Sequence, residues 1–471
     1  MFLINRGELD IRLDPFYYKP EFLELEKIIS NKAVYKLRHY ILYLASGATP
    51  HKAEAEKYYS DEINGIPFLR VQNVTPSCQI QLQDVKYINL ETHNGMLGRS
   101  QVKEGDLLVK ITGVGRMAVS SVVPENFEGN INQHLVVIRT DNKETSEVLA
   151  AFLNSDIGET LAKRRSTGGT RPALDYTALR SIPIVFDKRI LEIQKQANQI
   201  KKQKEAEVAE LLASIDGYLL QELGITLPPP SEKKTCFYRN FSKVSGGRLD
   251  PYCHKSEFEE LELSLKTGAY PIKSFKKLAK KITSGTTPTS GGDDYTNRDL
   301  GIPFIRSGEI NEFDEIDFND VIYIKPSVHN KTLKSSQLKK NDLMIAIVGA
   351  TIGQVGVFKY EFEANINQAI ALIRFDNSVN VEFVKSFLKT TIGQKVLDKL
   401  KRPVARANIN LEEISSIKIP LPPPEKQTEI ADHISALRTR AKQLQQQAAA
   451  ELAHAKQHVE QLILGGSESK P

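Results

Sequence analysis

Two segments of this chain pair cations and small hydroxyls with a backbone that can come close to a ligand. The first holds Lys163, Arg164, Arg165, Thr167, Gly168, Gly169, Thr170 and Arg171 without a single acid. The second holds Lys399, Lys401, Arg402, Arg406 and Asn408. Such residues suit phosphate oxygens and base-edge hydrogen bonds in a DNA groove. The competing reading is a solvated helix end whose cations complement the helix dipole. Recurrence in two places favours the DNA reading.

Further candidates are the hydroxyl-rich loops Ser46-Gly47-Ala48-Thr49-Pro50 and Ser284-Gly285-Thr286-Thr287-Pro288. They offer Ser46, Thr49, Ser284, Thr286 and Thr287, and Arg70 and Arg306 follow them. The same residue types also build plain turns. Asn130-Ile131-Asn132-Gln133 and Asn365-Ile366-Asn367-Gln368 precede apolar strand patterns, and there amides more often satisfy backbone groups than read bases.

Several stretches imitate catalytic motifs and fail on context. Gly113-Val114-Gly115-Arg116-Met117-Ala118 fits a dinucleotide fingerprint in spelling, but Val119 to Val123 then reads as a strand where the fingerprint needs a helix. Asp14-Pro15-Phe16-Tyr17 is close to the tetrapeptide of amino-methyltransferases but lacks its second proline. His454 and His458 are four apart on a helix with no glutamate between them. Cys78, Cys236 and Cys253 have neither disulfide-framework nor zinc spacing and read as ordinary thiols. No cofactor-binding, metal-binding or catalytic residue is expected in the chain itself.

The elements that must hold these loops are written twice. Arg12-Leu13-Asp14-Pro15 returns as Arg248-Leu249-Asp250-Pro251, 236 residues on, and Gly65-Ile66-Pro67-Phe68 returns as Gly301-Ile302-Pro303-Phe304. Asn130 and Asn365 still stand 235 apart, so almost nothing is inserted between the copies. So long a period means tandem domains and not a solenoid. Within a copy, the runs at Leu107 to Thr112, Val119 to Val123, Leu135 to Arg139 and Ile182 to Phe186 read as strands. Pro20 to Ser30 and Val148 to Arg165 read as helices, the second carrying Leu149, Phe152, Leu153 and Leu161 at helical spacing.

Each copy ends in a long amphipathic helix. The first carries Ile193, Ala197, Ile200, Val208, Leu211, Ile215 and Leu219, and Gly224 stops it. The second carries Ile430, Ile434, Leu437, Ala441, Leu444, Val459 and Leu462 up to Gly465-Gly466. Neither helix can bury its stripe alone, and the near-heptad spacing makes an antiparallel coiled coil the economical pairing. The other possibility is that each helix caps only its own domain. A helix of about 36 residues is ~54 Å long, and one turn of B-DNA is ~34 Å.

The expected fold class is therefore α+β: two similar mixed domains, 1–187 and 227–424, each followed by a helix, 188–226 and 425–466, with a tail at 467–471 and pseudo-twofold symmetry. The chain has 471 residues and a formal charge of +5, which permits a polyanionic partner without demanding one. No apolar run approaches the ~20 residues needed to span a bilayer, and no signal-peptide pattern opens the chain. A cytoplasmic protein with no membrane partner is expected.

The Arg-Leu-Asp-Pro openings, Ser-Gly-x-Thr-Pro, Gly-Ile-Pro-Phe, Gly349-Ala350-Thr351-Ile352-Gly353, Asn-Ile-Asn-Gln, and Ile419-Pro420-Leu421-Pro422-Pro423-Pro424-Glu425-Lys426-Gln427 before a long helix together resemble the specificity (S) subunit of type I restriction-modification enzymes. The first copy departs at Gly113-Val114-Gly115 and at Ile184-Val185-Phe186-Asp187. The resemblance implies two target-recognition domains that each read half of a split double-stranded DNA target, with the coiled coil as spacer. It implies docking of two methyltransferase (M) subunits, which carry S-adenosylmethionine, and allows restriction (R) subunits that use ATP and magnesium to join them. The alternative is a free-standing regulator that binds a bipartite DNA site; a self-contained methyltransferase or nuclease has no motif behind it.

Overall fold

The computed structural model describes residues 9, 12–227, 236–244, 248–289, 292–311, 315–402 and 407–465. The expected tail at 467–471 lies outside them. The chain divides into two compact units, Met1–Lys204 with Gln447–Pro471, and Glu205–Gln446.

The first unit contains strands β1 (Tyr35–Lys36), β2 (Tyr43–Ser46), β3 (Tyr59–Ser60), β4 (Ile66–Leu69), β5 (Lys86–Ile88), β6 (Gln101–Val102), β7 (Leu107–Lys110), β8 (Ser120–Val122), β9 (Gly129–Ile131), β10 (Leu135–Arg139) and β11 (Pro183–Ile184). Its helices are α1 (Pro20–Ser30), α2 (Ala55–Tyr58), α3 (Leu90–Asn94), α4 (Lys143–Asn154), α5 (Asp156–Arg165), α6 (Tyr176–Arg180) and the first part of α7 (Lys188–Leu223). One sheet runs β2-β10-β7-β8, a second runs β3-β5-β4-β9-β6, and β1 pairs with β11. All pairs are antiparallel except β4 with β9, where Phe68 lies opposite Asn130.

The central strands β7 and β10 are apolar up to their last residues, Lys110 and Arg139, because both faces are covered. Leu107, Val109, Val136 and Ile138 enter one core with α4 and α5, while the alternating Leu108, Leu135 and Val137 enter another. The helix expected over Val148 to Arg165 is instead two. Ser155 ends α4 in extended conformation and caps α5 by accepting from the Gly158 amide at 2.9 Å. A Cβ on Gly158 would lie 2.1 Å from the Phe152 carbonyl, so this crossing requires glycine.

The second unit repeats the plan with α8 (Phe241–Val244), α9 (Ser256–Thr267), β12 (Ile272–Ser274), α10 (Phe275–Leu278), β13 (Ala279–Ser284), β14 (Tyr295–Thr296), β15 (Ile302–Ile305), β16 (Ile322–Ile324), α11 (Pro326–Asn330), β17 (Asp342–Ala346), β18 (Val355–Phe358), β19 (Asn365–Ile366), β20 (Ile370–Phe375), α12 (Val381–Leu388), α13 (Thr391–Leu400), α14 (Leu411–Ser416), β21 (Lys418–Pro420) and α15 (Pro424–Leu464). Its sheets run β13-β20-β17-β18, β14-β16-β15-β19 and β12-β21. Leu343, Ile345, Ala371 and Ile373 face one core and Met344, Ile370 and Leu372 the other, as in the first unit.

The long helices enter these cores. In the first unit Ile190 and Ile193 of α7 join Val459, Leu462 and Ile463 of α15. In the second, Val208 and Leu211 meet Ala441 and Leu444, while Ile215 and Leu219 share a core with Ile430, Ile434 and Leu437. Polar contacts follow the same order: Lys204 donates to Gln447 at 2.9 Å in the first unit, and Glu222 pairs with Lys426 at 2.5 Å in the second. Within each unit the two helices therefore run antiparallel. Ala197 is buried and Ile200 half-buried. Gly224 ends α7 at φ +63, with its amide on the Gln221 carbonyl and that of Ile225 on Leu220, the Schellman pattern.

Candidate nucleic-acid interface

The Arg-Leu-Asp-Pro motif is a fastener for the segment that carries the basic loop. Arg12 donates to Asp14 at 2.7 Å, to the Arg165 carbonyl at 2.8 Å and to the Ser166 carbonyl at 3.1 Å. It thus satisfies carbonyls left open at the end of α5. Arg248 does the same in the second unit, with Asp250 at 2.7 Å and the Leu400 and Lys401 carbonyls at 2.7 and 2.9 Å. Burial opposes the charge on Asp250, but Arg248 outweighs it and holds the carboxyl below its ordinary range.

Beyond α5 the chain turns back on itself. Thr167 and Ala173 exchange backbone hydrogen bonds at 2.8 Å, and Gly168 adopts φ +93. The returning arm is stitched to the end of β7, Leu174 N–H to the Ile111 carbonyl at 2.8 Å and Gly113 N–H to the Pro172 carbonyl at 3.1 Å. In the second unit Arg402 N–H donates to Asn408, Ile409 to Ile347, and Gly349 to Ala407, at 3.1, 2.9 and 3.4 Å. Each basic loop is therefore tied to the glycine loop that leaves the central strand.

Lys163, Thr167, Thr170 and Arg171 are exposed, and Arg171 has no ion pair among the described residues. Arg164 and Arg165 are not available in this way, which corrects the expectation for both. They are buried and share Glu26 of α1, an acid distant in sequence. Arg164 also donates to the Tyr17 carbonyl at 3.0 Å and lies 4.1 Å over the Tyr17 ring. Burial pushes the Glu26 carboxyl up, yet Arg165 and Arg164 together hold it below its ordinary 4.5. In the second unit Lys399 pairs with Glu262, Lys401 with Asp398 at 2.6 Å, and Arg402 with Glu413 at 3.1 Å. Arg402 remains 45% exposed along its side chain. Asn408 is half-buried, and Arg406 lies outside the described residues.

The Ser-Gly-x-Thr-Pro loops lean on the Asn-Ile-Asn-Gln segments. A Cβ on Gly47 would fall 1.7 Å from the Ile131 carbonyl, and one on Gly285 1.8 Å from that of Ile366. Ser46 donates its amide to the Tyr176 hydroxyl at 2.6 Å, which brings this loop beside the basic one. Thr49 bonds Gln133. Thr49, Thr286 and Thr287 are exposed, whereas Ser46 and Ser284 are half-buried.

Arg70 and Arg306 are engaged structurally: Arg70 donates to the Asp84 carbonyl at 2.5 Å, and Arg306 to Glu309 at 2.6 Å and to the Asp320 carbonyl at 3.0 Å. Asn130 and Asn365 are buried, each 2.5 Å from a histidine, His93 or His329, as a structural role requires. Gly113-Val114-Gly115 leads into β8 and not a helix, so the dinucleotide context is lacking. Tyr176 and Lys110, whose ammonium donates to the Val114 carbonyl at 2.8 Å, shape these loops without having been singled out. Only the bare spelling of a tyrosine after Asp175 and a lysine closing an apolar run could have marked them.

Tandem α+β units, each holding a basic loop and a glycine loop at the end of a doubly covered sheet and each containing antiparallel segments of the two long helices, define a class of tandem-domain protein. Residues 272–454 match the family described as Type I restriction modification DNA specificity domain. The EcoBI specificity subunit of Escherichia coli is 32% identical over 157 residues, 33% of this chain and about a third of that protein's length. The putative MjaX specificity subunit of Methanocaldococcus jannaschii is 23% identical over 433 residues, 90% of this chain and 91% of that one. A solved chain described in connection with complex assembly and conformational transition of the type I R-M system shares the fold, with a TM-score of 0.52 at 16% identity over 91% of this chain and 95% of that one. The chain is thus similar to specificity subunits of type I restriction enzymes, through the family match over residues 272–454 and these two relatives. Among the described residues no helix is long and apolar enough to cross a membrane.

Proposed function

We propose that the chain reads a bipartite double-stranded DNA sequence, one half per unit, and docks methyltransferase subunits that carry S-adenosylmethionine, with restriction subunits using ATP and magnesium able to join in the cytoplasm. The observation behind this reading is the duplication of one arrangement, a loop fastened by Arg12 or Arg248 and tied to a glycine loop, with a Ser-Gly-x-Thr-Pro turn beside it in the first unit. In the first unit Lys163, Thr167, Thr170, Arg171 and Thr49 are the contacts; in the second, Thr286, Thr287 and Arg402 are their counterparts. Hydroxyls and guanidinium groups of this kind read base edges while the cations hold phosphates. The helices α7 and α15 are the proposed spacer and subunit-docking surface.

Mapping methylated adenines in the host genome with and without this gene tests the proposal. A split motif that vanishes with the gene is expected. Unchanged methylation, or tight site-specific binding by the purified chain with no methyltransferase partner, would point to a free-standing regulator instead.

A further inference from the structure

A second basic surface lies outside the loops just described and recurs in both units. In the second unit Lys273, Lys276, Lys277, Lys280 and Lys418 are all exposed. They sit on a rigid base: β12 pairs with β21 with Ser274 opposite Lys418, Phe275 donates its amide to the Ile417 carbonyl at 2.8 Å, and Phe275 and Leu278 are buried beneath. Lys273, Lys276 and Lys277 have no carboxylate partner among the described residues. The first unit places Lys36, Arg38 and His39 on the matching strand and turn, all exposed, with Leu37 N–H on the Ile182 carbonyl at 2.8 Å and Pro183 where the second unit has Lys418.

Both candidate loops connect to this ledge directly. The short helix α14, about 9 Å long at 1.5 Å per residue, starts three residues after Asn408 and ends two before Lys418. The strand β13 leads from Lys280 to Ser284, about 13 Å at ~3.3 Å per residue. At about 3.4 Å per base pair, those distances correspond to roughly three or four steps along a duplex.

We propose that this ledge, with its counterpart in the first unit, holds the phosphate backbone of DNA flanking the bases read, without regard to sequence. The inference rests on the DNA-reading function proposed above. An unpaired row of lysines on buried hydrophobic anchors has charge complementarity to a polyanion and no hydrogen-bonding fork suited to base edges. Its neighbourhood to the loops favours the same duplex over an acidic protein surface.

The test uses the full-length chain in its methyltransferase complex and a 40-base-pair random-sequence duplex as probe. Lys273→Ala, Lys276→Ala and Lys277→Ala are combined, with a charge-reversed triple variant (each to Glu) beside them. Each phosphate contact contributes about 0.9 to the slope of log affinity against log salt. The alanine variant should lower that slope by about two to three, the glutamate variant should weaken binding further, and the methylated motif should stay the same. An unchanged slope in a complex that binds the duplex overturns the ledge and leaves the reading function standing. So does a loss of methyltransferase association with duplex affinity per complex intact, which would mark a protein surface. A wild-type complex that does not bind duplex at all overturns both.

Discussion

The guanidinium of Arg12 donates to the carbonyl oxygen of Arg165 at 2.8 Å, across 153 residues of chain. That bond satisfies the carbonyl of the last residue of α5, where the basic loop starts. Arg12→Ala should cost about 1.5–3 kcal/mol, the range for a charge-assisted hydrogen bond in a partly buried setting. Denaturant unfolding measures the loss, and degraded reading should be confined to one half of the target. Equal damage to both halves would contradict the division of labour between the units.

Glu26 neutralises two buried arginines at once. Glu26→Ala should cost about 3–5 kcal/mol, because it strands buried charge without a partner. The pH dependence has a definite sign. Its folded-state carboxyl lies below the ordinary 4.5, so the stabilisation is complete above that value and disappears as pH falls through the lower folded value. Acid titration of thermal stability should show a drop in that window for the wild type and a flatter profile for Glu26→Gln.

Gly47 and Gly285 have no room for a side chain. Gly47→Ala places a methyl 1.7 Å from the Ile131 carbonyl, so the Ser46 to Pro50 turn must move. A destabilisation of about 1–3 kcal/mol is expected from such overpacking. Gly98→Ala, where nothing lies within 4 Å of the added carbon, is the control and should stay close to wild type in a melting experiment.

Arg171 is exposed and has no ion pair among the described residues, so its removal should leave stability alone. Arg171→Ala should relax base preference in one half-site by about 1–3 kcal/mol. Arg164→Ala, by contrast, should act through folding. Methylation profiling of degenerate target libraries, read beside melting temperatures, separates the two.

The helices carry their own prediction. Leu437 belongs to the second unit's core with Ile215 and Ile434. Leu437→Glu should destabilise that unit by about 1–3 kcal/mol by placing a charge at a half-buried core-facing position and alter the spacer tolerated between half-sites. A spacer unchanged in a stably folded variant, or in Ile200→Glu, would count against the helices as the ruler.

Much of this was legible in the residues. The period of the repeat, α1 from Pro20 to Ser30 and the two long helices could be read because a 3.6-residue stripe and a glycine or proline stop are local signals. The break at Ser155 could not, since an apolar stripe continues across it and only the close approach of Gly158 to Phe152 reveals the turn. The basic segment misled for a related reason. The segment from Lys163 to Arg171 contains no acid, and Glu26 reaches Arg164 and Arg165 only through the packing of α1 on α5. Arg70 looked free in the same way until the Asp84 carbonyl was brought to it. Periodicity reports faces, whereas charge pairing is a property of the tertiary arrangement.

The first unit draws Val459 and Ile463 from the end of the chain into a core otherwise made of residues before Lys204. During synthesis that half therefore waits, incomplete, until the ribosome has finished the last helix, while the half translated second is continuous and can close first. A premature stop near residue 446 would leave an intact later unit attached to an earlier one missing Val459, Leu462 and Ile463, and quality-control proteases should remove it.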